Sequence, residues 1–446
     1  MASIDFEYTQ EQLKNTANQI LERAVQFGAT SAQIEINESI ANSVDVLNGE
    51  IENFETSYDR TTGLAVYIGN KRGNVGITTI TLTNIDTIIN QALDIAKYTQ
   101  EDKANGIADK EFLCTSQNND LQLYNPMDID NQTLINKAKH IEQLGLQIDP
   151  KITGSDGASV TTAKFNFVIA NTNGLNLGYN TTRFNSSLSL IGTSEHGMQT
   201  DYWYSSARAY SDLSSDQILA STAANRVLRR LNNGNIQSGV YPVIFDSPIA
   251  KSIIGNFLGA ISGNSLFRRL SFLNDSLGTQ VFPTWLSIID DPFITKGLSS
   301  CYFDNEGVRV SKRQLVTDGV VNGYLLSSYT ARKLNMTPTG NAGGTHNITV
   351  SHNTEDNIDA MIKKMGTGLV IIETIGSGLN MVTGDYSVGA SALWVKNGTV
   401  QYFVDNITIS GNLRDIFKNI VSINQDFELS SMSCGAMLVD NISISI

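Results

Sequence analysis

The chain holds four histidines, three cysteines and 44 Asp plus Glu, the side chains on which hydrolytic or metal-dependent chemistry would be built. No His is followed by Glu, so neither HExxH nor its one-residue-longer relative HExxxH occurs. Helical zinc peptidases rely on such spacing to bring two imidazoles to one metal, with the Glu beside the bound water. His346 and His352 bracket Ile348 and Val350, and a regular strand would set all four on one face. Six residues of strand span about 20 Å, so these imidazoles cannot share a metal without a sharp bend. Hydrogen-bonding or structural roles are expected of both. His140 falls in an amphipathic helical stretch, where partial exposure is expected. Cys114, Cys301 and Cys434 are odd in number and lack CxxC spacing, which argues against a disulfide framework. Asp290-Asp291 precedes Pro292, and Asp385 lies in a Gly-rich turn, but among 44 acids adjacent pairs arise by chance. Gly-Lys never occurs, which excludes a Walker A loop. GxSxG and GxGxxG are also absent, Gly376-Ser377-Gly378 stopping short of the latter. Residue chemistry alone therefore describes a multidomain protein without a self-sufficient catalytic constellation.

The elements that would position these residues can be read from periodicity. At 446 residues the chain has room for two to four domains at roughly 100–200 residues each. Leu13, Ala17, Ile20, Leu21 and Ala24 repeat at helical spacing, with Gly28 as a stop. Ile34 and Ile36 begin strand-like alternation, Leu64–Ile68 and Val75–Ile77 flank a Gly-rich turn, and a second helix is expected from about Thr83. Tyr98 to Asp130 reads as a connection. The order then repeats: a helix carrying Leu134, Ala138 and Ile141, three Thr/Asn/Ser-rich strands between Ala158 and Tyr210, and a helix with Ile218, Val227 and Leu228. Composition shifts after Asn232-Asn233-Gly234-Asn235 to short strands, one helix near Pro248–Leu258, and hairpins at Val320–Tyr324 and Trp394–Val400. The expected fold class is α+β, with N-terminal helix/antiparallel-sheet modules at 1–120 and 121–235 and a β-rich C-terminal domain at 236–446.

A formal net charge of −13 argues against binding nucleic acid or anionic membranes. No apolar run reaches the roughly 18 residues of a membrane span. The acidic start Met1–Glu7 lacks the basic and apolar regions of a signal peptide, so a cytoplasmic location is expected.

Longer segments are more particular. Gly376–Ser387 leads into Gly389-Ala390-Ser391-Ala392-Leu393-Trp394-Val395, then Asn397-Gly398 and Thr408–Leu413. Leu325–Leu334, Gly340–Asn347 and Phe272–Trp285 accompany it. Together these resemble the TldD/PmbA family, closest to its PmbA branch, also called TldE. The resemblance extends over essentially the whole chain and is strongest from about Tyr241. It implies kinship with a zinc site built, in the TldD branch, from an HExxxH helix and a downstream Cys before Gly. The corresponding helix here reads Gly255-Asn256-Phe257-Leu258-Gly259-Ala260, with Gly255 and Ala260 in place of the two His and Asn256 in place of the Glu. Cys434-Gly435 stands where the Cys would be, and packing is the role expected of this lone thiol.

The resemblance thus implies a non-metal subunit that binds no cofactor itself. It would form a heterodimer or higher assembly with a TldD-type partner holding the zinc, shaping the chamber and presenting unfolded peptides there for cleavage at the partner's metal. Cavity-facing candidates are Asn341, Gly343, Gly344, His346, Asp385 and Tyr386, since glycine-rich turns permit close backbone approach beside polar neighbours. Two other readings are a stand-alone hydrolase using Cys434 near His346, and a peptide-binding homodimer without enzymatic activity.

Overall fold

The computed structural model describes residues 5–78, 84–117, 119–425 and 430–446. Helix α1 (Gln10–Gln26) opens on a capping box at Thr9, buries the expected stripe from Leu13 to Ala24, and ends just before Gly28, whose φ is 107°. Strands β1 (Ser31–Leu47), β2 (Glu50–Ile68) and β3 (Lys71–Ile77) follow, then α2 (Ile85–Tyr98). Thr83, the expected start of that helix, lies outside the described residues. Asn48-Gly49, both at positive φ, turn the first hairpin. The order then recurs as α3 (Asn131–Leu146), β4 (Ile152–Asn171), β5 (Asn176–Ser194), β6 (Gly197–Ala207) and α4 (Asp216–Leu228).

The two modules share one six-stranded sheet, ordered β3-β2-β1-β4-β5-β6. Its centre is the antiparallel pairing of β1 with β4, from Gln33↔Asn171 to Val46↔Ala158. Both helix pairs cover the same face. Ala32, Ile34 and Ile36 meet α1 and α2, while Val44 and Val46, of the same parity, meet α3 and α4. On the opposite face Phe167, Leu177 and Tyr179 pack against Phe303 and Val308 of the C-terminal domain. The connection after Tyr98 runs along this seam: Cys114 N–H bonds Gly307 O at 2.9 Å, and the Arg332 guanidinium takes Ile107 O at 2.7 Å.

The C-terminal domain begins with β7 (Gly239–Phe245), α5 (Ser247–Ala260) and α6 (Gly263–Phe267). It continues with β8 (Ile288–Asp291), β9 (Arg313–Thr317), β10 (Val320–Val321), α7 (Ser328–Leu334) and β11 (Asn347–Val350). Next come α8 (Ile358–Met365), β12 (Gly368–Ile375), β13 (Asp385–Lys396) and β14 (Thr399–Asn412). It closes with α9 (Leu413–Lys418), β15 (Ile420–Ile423), β16 (Met432–Ser433) and β17 (Met437–Ser445). Strands β14-β13-β12-β7-β17 form a ring closed by β14–β17 pairing, with β15 attached to β17. A second sheet, β10-β9-β8-β11-β16, stands beside this barrel, and α5 lies in the core they share. The architecture is α+β with a β-rich C-terminal domain. The Asn397-Gly398 hairpin is as expected, whereas the hairpin read at Val320–Tyr324 turns earlier, at Asp318-Gly319, where both residues take positive φ.

The segment before β13 folds back on it, Gly378 O accepting from Ser387 N–H at 2.8 Å. A Cβ on Gly378 would stand 1.9 Å from Ser387 O, so the Gly378→Ala chain is expected to lose about 1–3 kcal/mol of stability. A thermal midpoint equal to that of the unsubstituted chain would contradict this close packing.

Candidate functional site

Strand β8 alternates inward Ile288 and Asp290 with half-buried neighbours, and it pairs with β11 so that Asp290 lies opposite Ile348. Asp290 is fully buried. Its carboxylate accepts the His346 backbone N–H at 2.7 Å and the Asn341 Nδ2 at 2.9 Å, and faces His346 Nδ1 at 3.0 Å. Asn341 in turn accepts from Arg313 Nη1 and Thr339 Oγ1, both at 2.8 Å, and donates to Gly344 O at 3.1 Å. Burial pulls the imidazole of His346 down, but its hydrogen bond to the Asp290 carboxylate, with Cys301 acting in the same direction, outweighs it and pushes the ring up to about 10. Asn341, Gly344 and His346, named from sequence, are thus brought together around a carboxylate the sequence did not single out. Gly343, at φ 104°, has a different reason to be glycine: a Cβ there would lie 2.5 Å from Asn305 Nδ2.

That contact joins the 340–344 loop to the turn at Asp304. Asp304 accepts the backbone N–H groups of Glu306, Val308 and Ala342, each at 2.9 Å, and burial pushes its carboxyl up to about 7. Asp385 and Tyr386 occupy a separate place at the head of β13. Asp385 is exposed, accepting from Thr383 Oγ1 at 2.7 Å and Asn412 Nδ2 at 3.0 Å. Tyr386 lies in the domain core, where burial raises its phenol to about 12. The six cavity candidates therefore fall into two groups, one around the 340–344 loop and one at the head of β13. The other histidines sit apart. His352 Nε2 meets Glu355 at 3.2 Å, His196 meets Glu195 at 3.6 Å, and His140 is exposed on α3.

Helix α5 carries the positions that the resemblance aligns with a zinc helix. Asp246 caps it and Pro248 occupies its first turn. The helix is regular throughout. Gly255 faces open space, with no heavy atom within 4 Å of the point a Cβ would occupy, while Ala260 is fully buried. Neither carries a donor atom in its side chain, Asn256 offers an amide in place of a carboxylate, and Cys434 is 1% exposed. These residues do not fit a zinc site. Cys434 follows β16, which pairs with β11, and its carbonyl accepts Ser247 Oγ at 2.9 Å at the start of α5. The cysteine that reaches His346 is Cys301. Among the described residues no three His, Cys, Asp or Glu side chains gather as a metal-binding group.

Sequence reasoning named Asp290 but missed its place at the centre of this network. The available signal was the Asp290-Asp291 pair in a short apolar strand, weakened by the abundance of acids. Only strand pairing brings His346 to it.

Three family descriptions match the chain in order: PmbA/TldA metallopeptidase domain 1 over residues 32–96, the central domain over 124–231 and the C-terminal domain over 238–446. The chain belongs to the PmbA/TldD metallopeptidase family. Metalloprotease PmbA of Escherichia coli O157:H7 is 39% identical over 93% of this chain and 92% of its own length. The PmbA homolog of Haemophilus influenzae is 39% identical over 98% and 96% respectively. The PmbA/TldD fold recurs in solved structures. A candidate modulator of DNA gyrase from Bacteroides thetaiotaomicron superposes with a TM-score of 0.92 at 24% identity, over 98% of this chain and 99% of that one. TldE from Thermococcus kodakarensis superposes at 0.83 with 18% identity, over 96% and 99%.

Proposed function

We propose that this chain is the PmbA/TldE-type subunit of a zinc-dependent peptidase pair, shaping the chamber for unfolded peptides while a TldD-type partner supplies the metal. The observation that carries the reading is α5: in a family of metalloproteases, Gly255, Asn256 and Ala260 offer no donor set for zinc, Gly255 facing open space and Ala260 lying fully buried. The long sheet supports it. β3 pairs with β2 only from Thr62 to Ile68, leaving the outer edge of β2 from Glu50 to Thr61 without a neighbouring strand among the described residues. Such an edge can bond an extended peptide through its backbone with little regard to sequence. No helix among the described residues is long and apolar enough to cross a membrane, and a cytoplasmic setting suits the proposed assembly.

The test is cleavage of an unfolded polypeptide by the chain alone, by a zinc-loaded TldD-type partner alone, and by the two together, with zinc measured in each after desalting. Cleavage that requires both proteins, with zinc only in the partner, is the expected result. Stoichiometric zinc and full cleavage in this chain alone would refute the proposal.

A further inference from the structure

The unpaired half of β2 presents different chemistry on its two sides. Leu64 and Val66 pack against α1 and α2, and counting back by twos places Phe54 and Tyr58 on that same side of the sheet. Their pairing with Val44 and Ile40 of β1 agrees. Ile51 joins them, because the irregularity between Asp45 and Val46 sets it opposite Val46. All three stay exposed, by 46% at Ile51, 37% at Phe54 and 40% at Tyr58. On the other side stand Glu50 opposite Leu47, Glu55 opposite Ser43 and Asp59 opposite Ser39, all exposed.

Among the described residues none of these three carboxylates forms an ion pair. Arg60, the cation of this stretch, is held by Glu7 at 2.8 Å and Glu38 at 3.0 Å. The acidic side continues inward as a groove of about 270 Å³, lined by Asp45, Glu52, Asp156 and Tyr202. Such an edge disfavours a second copy of this chain, since antiparallel β2–β2 pairing would set carboxylates against carboxylates. A foreign strand would lie about 4.8 Å outside β2. Its side chains on one side would meet Glu50, Glu55 and Asp59, and those on the other would meet Ile51, Phe54 and Tyr58.

We propose that the outer edge of β2 docks cationic unfolded peptide, with preference for segments that alternate Lys or Arg with apolar residues. The inference rests on the peptide-holding role proposed above and adds a selectivity that backbone bonding alone does not give. Backbone groups of the edge hold the strand. The acidic side selects its cations, and the apolar side covers the residues between them.

The test titrates the full-length chain, without a partner, into dye-labelled peptides of about eight residues and reads fluorescence anisotropy. A peptide alternating valine and lysine should bind about tenfold or more tighter than one alternating valine and glutamate, the gap closing toward about 1 M salt. The same valine–lysine peptide methylated at every backbone nitrogen should lose binding. The exposed triple change Glu50→Lys, Glu55→Lys and Asp59→Lys should erase or reverse the preference. Glu22→Lys, Asp359→Lys and Asp415→Lys, which alter net charge equally at exposed sites on helices, should leave most of it. Equal binding of the two peptides, an equal effect of the two triple variants, or undiminished binding of the methylated peptide overturns the proposal. So does a dimer of the chain that the edge substitutions dissolve. Cleavage that requires both proteins, with peptides bound indifferently, would remove this preference alone and leave the proposed pair standing. Failure of the pair to cleave would count against that pair without altering the binding contrast.

Discussion

Asp290→Ala is expected to destabilise the chain by about 3–5 kcal/mol, because it strips a fully buried group from three donors at once. The His346 backbone N–H, its ring and Asn341 Nδ2 all converge on this carboxylate. The loss should depend on pH. The His346 ring titrates higher in the fold, about 10 against 6.5, so its contribution is complete below pH 6.5 and declines as pH rises through about 10. The groups facing it are Asp290 and Cys301, with Arg313 beyond Asn341. Urea unfolding at about pH 6, 8 and 9.5 should show stability falling on the alkaline side in the unsubstituted chain and a flatter profile in Asp290→Ala. Equal stabilities at pH 6 would show that the network contributes nothing.

Asp201→Ala should cost a similar amount, about 3–5 kcal/mol, with a different consequence. Asp201, on β6, is 4% exposed and receives Arg226 Nε at 3.0 Å from the last turn of α4 and Arg230 Nε at 2.8 Å from just beyond its end. Arg230 continues to Glu373 on β12 at 2.7 Å, and Arg229 reaches Asp246, the cap of α5, at 3.1 Å. The cluster therefore ties the middle module to the helix and barrel of the C-terminal domain. Without Asp201, two largely buried guanidiniums face each other with less compensation, and the tie should loosen. Faster limited proteolysis between residues 232 and 238 is the expected companion of the lowered unfolding midpoint. A variant within about 0.5 kcal/mol of the original, with unchanged proteolysis, would mean that the domains are held by apolar packing alone.

Elements legible in advance are those with strong periodicity or a local turn signal. The stripe of α1, the helix at α5 and the Asn397-Gly398 turn each carry their own mark, in spacing or in positive φ. The first half of β2 carries none: Glu50–Thr56 is exposed residue after residue, so no alternation marks it as strand until β1 pairs with it. The hairpin near Val320 is misplaced from sequence because Asp318-Gly319 and Asn322-Gly323 are equivalent turn signals, and only pairing of Val320 with Thr317 chooses between them. Likewise the two modules are legible in order, but not their union through β1 and β4, since antiparallel pairing across more than 100 residues leaves no mark on either strand's own pattern.

For function, the family motifs and the absence of HExxxH lie in the linear order of residues. That order determined the kinship and the missing zinc donors, because both depend on residue identity at consecutive positions. It could not show that Gly255 faces open space while Ala260 is fully buried, nor that Asp290, Asn341 and His346 meet. The last three come from β8 and from the loop that leads into β11. Their chemistry arises from burial and from distances set by strand pairing, and those are properties of the folded chain alone.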